Sequence, residues 1–368
     1  MSQQRALYQW TNTVAHHLPV LRKSQAKVLA AFSLGMALAR RCTLSVVAEA
    51  LPGLGKPDTV ERRWQRFLSN PRVAWAPAAE ALARWILASL QPGSVVVVLV
   101  DETSLHEHLK VMVVSLAYRG RAMPLAWWCY PPTAYPMGQV ALITTLLTRI
   151  AAALPARCRV LVQADRGIGT SPALLQAIQQ RGWFYLVRVQ GQVRLRLDDG
   201  RLVRFAALVP RPGRRWAGWA YAFKKAGWCR CWAVGQWRRP HQEPWLLVTN
   251  WPSAQGSWYG LRMWEEVAFR DLKSMGWQWQ RSRVWDPAHA NRLWLVMALA
   301  YAWTLSLGTR VIRTPTLRRE LTRGKAWRHS VFQLGLRLLK RWLTLGRRLF
   351  YELLFIPHLP TLSKSVVQ

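Results

Sequence analysis

The chain has 368 residues, of which 52 are Lys or Arg and 17 are Asp or Glu, so its formal net charge is +35. This excess predicts a polyanionic partner, most simply nucleic acid, with an anionic membrane surface as the rival. A hydrophobic fraction of 51% and 23 tryptophans exclude a basic disordered tail, and five cysteines without a CxxC pair support neither a disulfide framework nor a zinc site.

Residues 1–90 are predicted to form a helical DNA-binding domain. The first residues lack the apolar core of a signal peptide, and "PGLGKPD" is predicted as a turn. The segment 59–70 then has the pattern of an amphipathic helix, whose basic side carries Arg62, Arg63 and Arg66. A turn followed by a basic helix is typical of a DNA-binding unit. A solvated basic face is the ordinary alternative.

Two runs of branched apolar residues are predicted to be buried strands, and each ends in an aspartate. "VVVVLV" leads into Asp101, and "RVLVQA" leads into Asp165. The order of strands and helices over residues 91–190 predicts an α/β fold with a mixed sheet. Since such sheets bind ligands at the carboxyl ends of their parallel strands, the two aspartates should meet if their strands are neighbours. The alternative is that both are ordinary turn residues.

The character of the sequence changes over residues 191–250, which are predicted to be a β-rich insertion. Six tryptophans lie there, and most are predicted to be core residues. Trp237 is the candidate wedge for a base turned out of the DNA stack, chosen for its distance from the glutamate discussed next. The apolar run at 293–308 is shorter than the roughly 20 residues that span a bilayer, so it is predicted to be a buried core helix.

The segment "YGLRMWEEVAFRDLK" is predicted to lie on one α-helix over residues 257–275. Its Tyr259, Arg262, Glu266 and Lys273 then fall within about 60° of one another around the helix axis. Tyr259 is predicted to stack on a sugar or an extruded base, and Arg262 and Lys273 to bind phosphates. The alternatives are that Tyr259 packs against the sheet and that Arg262 pairs with an acid.

Glu266 can complete a carboxylate cluster with the two aspartates. Three carboxylates near one point repel one another unless cations neutralise them, and oxygen ligands suit Mg²⁺ or Mn²⁺. Two such ions can activate a water or hydroxyl and stabilise the leaving oxygen of a phosphodiester. Glu102 is the alternative ligand beside Asp101, although strand alternation points it to the opposite face.

These residues resemble those of bacterial insertion-sequence transposases of the DDE class. More narrowly, the chain is similar to the insertion-sequence-four type, whose glutamate helix carries the Y-x2-R-x3-E-x6-K signature. The match to that signature is Tyr259, Arg262, Glu266 and Lys273, with Asp101 and Asp165 as the other two carboxylates. The resemblance extends from about residue 23 to the basic C-terminal region, and a β-strand insertion before the glutamate is also characteristic of the family.

The resemblance implies an RNase H-like catalytic core at residues 91–190 and 251–309, interrupted by the insertion and followed by a basic helical region at 310–368. It implies an enzyme that uses Mg²⁺, with Mn²⁺ as a substitute, held by Asp101, Asp165 and Glu266. The protein is predicted to be cytoplasmic and bacterial, because the sequence shows neither a signal peptide nor a disulfide framework. Its partners would be double-stranded DNA, both terminal inverted repeats and target, and a second copy in a synaptic dimer, with no membrane. The rivals are another RNase H-like nuclease and a transposase-derived DNA-binding protein without activity.

Overall fold

A computed structural model describes residues 3–322 and 329–356. The strands are β1 (Val95–Leu105), β2 (Leu109–Tyr118), β3 (Arg121–Tyr130), β4 (Arg159–Ala164), β5 (Phe184–Arg188), β6 (Arg194–Leu197), β7 (Leu202–Arg204), β8 (Arg215–Ala222), β9 (Cys229–Gln236) and β10 (Trp245–Thr249). The helices are α1 (Gln3–His17), α2 (Lys23–Ala39), α3 (Leu44–Glu49), α4 (Pro57–Ser69), α5 (Trp75–Leu87), α6 (Gln139–Ala151), α7 (Arg166–Gly169), α8 (Pro172–Gln180), α9 (Met263–Arg270), α10 (Pro287–Arg313), α11 (Pro315–Leu321) and α12 (Val331–Thr344).

All ten strands form one mixed sheet in the order β3-β2-β1-β4-β5-β10-β9-β8-β6-β7. Strands β1, β4 and β5 are parallel; on one side of them β2 pairs antiparallel with β1, and β3 pairs antiparallel with β2. On the other side β10 pairs antiparallel with β5. Helices accompany the sheet, so the predicted α/β class with a mixed sheet is confirmed, and the arrangement is consistent with an RNase H-like core.

The predicted β-rich segment at 191–250 contributes β6 to β10, and these strands extend the central sheet without a break. Its six tryptophans are half-buried rather than fully buried. Trp216, Trp232 and Trp245 pack against the core, while Trp219 meets Trp232 edge to face across β8 and β9. Most of these indoles therefore keep part of their surface accessible.

Helix α10 packs against β3 at one edge of the sheet and is surrounded by other helices. The indole of Trp127 on β3 donates to the Asn291 carbonyl at 3.1 Å, and the Cys129 amide donates to the Asn291 side chain at 2.9 Å. These bonds cover an edge strand that would otherwise expose unpaired backbone groups. Among the described residues α10 alone is long and apolar enough to cross a membrane, but 89% of its apolar window is buried inside the protein. The prediction of a core helix is confirmed, although the helix is longer than the run at 293–308.

The N-terminal helices form an aromatic core that packs against α10. Trp10 of α1 stacks on Trp303 of α10 with ring centroids 4.2 Å apart, and Phe32 of α2 stacks on Trp64 of α4 at 4.9 Å. Removing these helices would expose the apolar surface of α10. The domain boundary at residue 90 stays a prediction. The predicted basic C-terminal region contributes α11 and α12, and its residues 323–328 and 357–368 lie outside the described part of the chain.

Helices α10 and α12 approach so closely that backbone meets backbone at two glycines. A Cβ at Gly308 would lie 1.8 Å from the Val331 carbonyl oxygen, and one at Gly335 would lie 1.8 Å from that of Thr304. Neither contact can be relieved by turning a side chain, so the helices would have to separate.

We expect Gly308→Ala to lower the free energy of unfolding by about 3 kcal/mol, because overpacking outweighs the gain in helix propensity. Denaturant titration measures the change. Gly191→Ala is the matched control, since a Cβ there meets nothing within 4 Å. Equal stability of the two variants would contradict the close helix contact.

Candidate active site

The two predicted aspartates lie side by side at the point where the parallel pairing of β1 with β4 ends. Asp165 directly follows β4, but Asp101 lies inside β1, which continues to Leu105 while paired with β2, so the prediction that this strand ends at Asp101 is wrong. Val100 of β1 is in register with Ala164 of β4, and Asp101 and Asp165 are the residues that follow these two. Asp101 still pairs with Val113 of β2, so its backbone is held within the sheet. The condition on which the sequence prediction depended, that the strands be neighbours, is met.

Each aspartate uses one oxygen to fix its own position. Asp165 Oδ1 caps α7 by accepting from the amides of Gly167 at 2.9 Å and Ile168 at 3.0 Å. Asp101 Oδ1 accepts from the Glu102 amide at 2.9 Å. The other oxygen of each carboxylate is thereby left to face the site.

Arg262 lies between all three predicted carboxylates. Its Nη2 is 2.9 Å from Asp101 Oδ2 and 4.0 Å from Asp165 Oδ2, and its Nη1 is 3.0 Å from Glu266 Oε1. The Arg262 side chain is 15% exposed, whereas that of Glu266 is 52% exposed. The guanidinium therefore neutralises the cluster, as the alternative interpretation of Arg262 has it, and its predicted contact with a DNA phosphate stays a prediction.

Burial and charge act in opposite directions on this cluster. Burial raises the pKa of Asp101 to about 6, although the Arg262 guanidinium pulls it down. Burial would lower the pKa of Arg262, but its acidic neighbours, Asp101 foremost, raise that pKa above its usual value. The arginine thus remains charged, and it is the group that keeps Asp101 ionisable in its buried position.

The segment 257–275 is not the single α-helix that the sequence analysis predicts. It is a 3₁₀ segment over Gly256–Arg262, then α9, then a π-helical turn over Asp271–Met275. The angular calculation fails because 3₁₀, α and π turns hold different numbers of residues. The first residue of the π turn, Asp271, is buried, pairs with Arg121 at 2.5 Å and accepts from the Tyr301 hydroxyl at 3.0 Å.

The two outer members of the signature occupy different surroundings. Tyr259 is 5% exposed and meets Trp245 edge to face, with ring centroids 5.4 Å apart. Together with Asp165, Arg188 and Arg262 it lines a small cavity of about 150 Å³. Lys273 is half-buried; burial lowers its pKa, and the charge of Asp101 acts in the opposite direction. Lys273 therefore lies within electrostatic reach of the carboxylates.

Comparison with known families relates part of this site to a known domain. Residues 137–303 match the transposase DDE domain. The match contains Asp165 and Glu266 and begins after Asp101. It supports a DDE-class transposase, with DNA as the substrate of that class, and no curated protein matches the chain.

DDE-domain enzymes generally use divalent metal ions, and the donors here suit them only in part. Three carboxylates are the chemistry that Mg²⁺ prefers. Within residues 3–322 and 329–356, however, no three His, Cys, Asp or Glu side chains approach closely enough to hold a metal ion, and Arg262 fills the space between the acids. His108 offers no alternative site, because its ring packs on Trp285 at 4.3 Å.

Two further acids beside the site have separate roles. Glu102 lies on the opposite face of β1, where it pairs with Lys110 at 2.8 Å and accepts from the hydroxyls of Tyr130 and Tyr135. Glu265 is fully buried, accepts from the Ser115 hydroxyl at 3.2 Å, and has a pKa raised well above its usual value by burial. Burial thus favours the neutral form of Glu265. Sequence analysis did not single it out, because only the tertiary fold covers it.

The remaining predicted DNA contacts lie outside the carboxylate cluster. Trp237 is half-buried and donates to the His241 carbonyl at 2.9 Å, beside a cavity of about 630 Å³ lined by Arg214, Arg215 and Arg238 among others. Arg62 and Arg66 are exposed on α4, whereas Arg63 is half-buried. No contact in the structure assigns these residues to DNA, so their roles stay predictions.

Proposed function

We propose that this chain is a DNA transposase that binds terminal inverted repeats, cleaves the element ends and joins the freed 3′ hydroxyl to target DNA. The observation that carries the proposal is the meeting of Asp101, Asp165 and Glu266 around one guanidinium, where the parallel pairing of β1 with β4 ends. The match to the transposase DDE domain and the net charge of +35 support it. The chain is proposed to be of the insertion-sequence-four type and to act in the bacterial cytoplasm.

In this proposal Asp101, Asp165 and Glu266 would hold Mg²⁺, or Mn²⁺ in its place. Bound ions would activate the attacking water or hydroxyl and stabilise the leaving oxygen. Asp101 and Asp165 each bind backbone amides through Oδ1, so Oδ2 of each carboxylate would be the oxygen offered to a metal ion. Glu266 is the more exposed carboxylate and completes the set from α9.

The basic and aromatic residues around the carboxylates are proposed to bind DNA. Lys273 and Arg262 would bind phosphates next to the cleaved bond, and Tyr259 would contact the terminal nucleotide at the cavity beside Asp165. Arg62, Arg63 and Arg66 would bind the element end, and Trp237 would receive a base turned out of the stack. Two copies would pair the element ends in a synaptic dimer.

The test is cleavage by the purified full chain of DNA that carries the inverted repeats flanking its own gene. We expect nicks at the repeat ends and joining to a second DNA in Mg²⁺ or Mn²⁺, both read on sequencing gels. Random DNA of equal length and excess chelator are the controls. Cleavage in chelator would contradict the metal reaction. If an RNA–DNA hybrid is offered and only its RNA strand is cut, the result would favour another RNase H-like nuclease. End binding without cleavage would favour the inactive DNA-binding protein.

A further inference from the structure

A groove of about 540 Å³ separates α4 from the segment that leads into α10. The α4 wall presents Arg62, Gln65 and Arg66, and the opposite wall presents Arg283 and Trp285. The three arginines are exposed, and Trp285 is 37% exposed, one of few large apolar side chains at the described surface. We refer to this feature as the α4 groove.

Both walls of the α4 groove are fixed by buried contacts. Arg292 of α10 is 6% exposed and donates to the carbonyls of Leu68 at 2.9 Å and Val73 at 3.3 Å, which ties the end of α4 to α10. On the other wall, Asp286 caps α10 by accepting from the His289 amide at 2.8 Å. The groove is therefore a preformed surface, and its width is set by the core.

The chemistry of the α4 groove suits a nucleic-acid backbone. Within the described residues the guanidinia of Arg62, Arg66 and Arg283 have no ion-pair partner, and Asp286 is the one acid lining the groove. Exposed guanidinia bind phosphates in paired hydrogen bonds, and an indole between them offers an apolar surface to a deoxyribose. A protein partner would need acidic side chains at a matching spacing, whereas the backbone of any DNA duplex carries negatively charged phosphates at regular intervals.

The position of the groove relative to the active site can be derived from the β1–β2 hairpin. Trp285 packs on His108, next to Leu109, and Leu109 pairs with Leu105 at the end of β1. Asp101 lies four residues earlier on the same strand, about 13 Å away at the usual strand rise. Duplex DNA advances about 3.4 Å per base pair, so this separation corresponds to about four base pairs.

We propose that the α4 groove binds the DNA backbone about four base pairs inside the end that is cut at Asp101. Arg62 and Arg66 take phosphates on one side, Arg283 takes one on the other, and Trp285 packs on the sugar between them. Arg283 and Trp285 thus form a second wall of the DNA site, which the α4 arginines complete. This inference rests on the proposed function, because the position is counted from the cleaved end.

The experiment measures binding without metal, so that it does not depend on cleavage. Full-length protein is titrated with a pre-cleaved duplex end, and single phosphates along the duplex are replaced by neutral methylphosphonates. We expect a loss of about tenfold at one or more phosphates roughly three to five pairs from the end, and a salt slope lowered by about one unit in Arg283→Ala. In Arg283→Ala, the methylphosphonate at the Arg283 phosphate should cause no further loss.

Arg157→Ala is the matched control, since Arg157 is an exposed arginine just before β4, at the opposite end of that strand from Asp165. Trp285→Phe should bind nearly as well as the native chain, whereas Trp285→Ala should bind several-fold more weakly. Equal interference patterns in native protein and Arg283→Ala would overturn the inference, as would equal losses in Arg157→Ala and Arg283→Ala. Interference with no cleavage in Mg²⁺ would reject the proposed activity and leave the groove standing.

Discussion

Asp165→Asn is expected to abolish DNA cleavage while leaving binding to the element end largely intact. Asn is as good an N-cap as Asp, so it can still accept from Gly167 and Ile168 and preserve the start of α7. The substitution removes one negative charge from a site that must hold cations against a +35 chain. We expect the cleavage rate to fall at least about a thousandfold, which is about 4 kcal/mol of activation free energy.

The measurement is a cleavage time course together with an end-binding titration on the same preparation. Asp101→Asn and Glu266→Gln should give the same pattern, because all three acids surround one guanidinium. Asp199→Asn is the control, since Asp199 pairs with Arg201 in a surface turn of the insertion. An Asp165→Asn protein that cuts at the native rate would exclude the carboxylate as a metal ligand.

The neighbouring strands and their aspartates could be predicted because their signals are local. The run of valine and leucine before Asp101 and the mostly apolar segment 160–164 before Asp165 indicate buried strands, and the structure places the two strands next to each other. The helical character of residues 1–90 and the buried α10 follow from periodicity and composition in the same way.

The parts that escaped prediction depend on contacts between distant residues. Asp271, the first residue of the π turn, pairs with Arg121 and accepts from Tyr301, and no sequence pattern near residue 271 indicates either partner. Likewise, β10 pairs with β5, so the strands of the predicted insertion continue the central sheet. The sequence does not indicate this pairing. Asn291 is a polar residue in an apolar helix. Its side chain accepts a hydrogen bond from the Cys129 amide of β3, a contact that only the tertiary structure reveals.

The position of Arg262 is the departure with the largest chemical consequence. Sequence analysis assigns it to phosphate on the DNA, yet its guanidinium lies where metal ions would have to bind among the acids. Cations and Arg262 should therefore compete for the same carboxylate oxygens. This competition can be measured on the isolated protein, without DNA and without turnover.

Arg262→Met is expected to have opposite effects on metal-free stability and on metal binding. Methionine keeps much of the length of the side chain but leaves Asp101, which is 8% exposed, without its counter-ion. Removing one partner of a buried pair costs about 3 kcal/mol or more, so the metal-free variant should unfold at lower denaturant. Mg²⁺ no longer has to displace a guanidinium, so its affinity should rise about tenfold, or about 1.4 kcal/mol.

Isothermal titration with Mg²⁺ or Mn²⁺ and denaturant unfolding with and without metal measure both effects. Arg262→Lys should lie between native protein and Arg262→Met, because one ammonium retains the charge but cannot contact Asp101 and Glu266 through separate nitrogens as the guanidinium does. Arg201→Met is the matched control: its partner Asp199 is exposed in a turn of the insertion, and a surface pair contributes little to stability. If Arg262→Met binds Mg²⁺ no more tightly than the native chain, the guanidinium and the metal do not share these oxygens, and Arg262 must instead leave the acids only when DNA arrives.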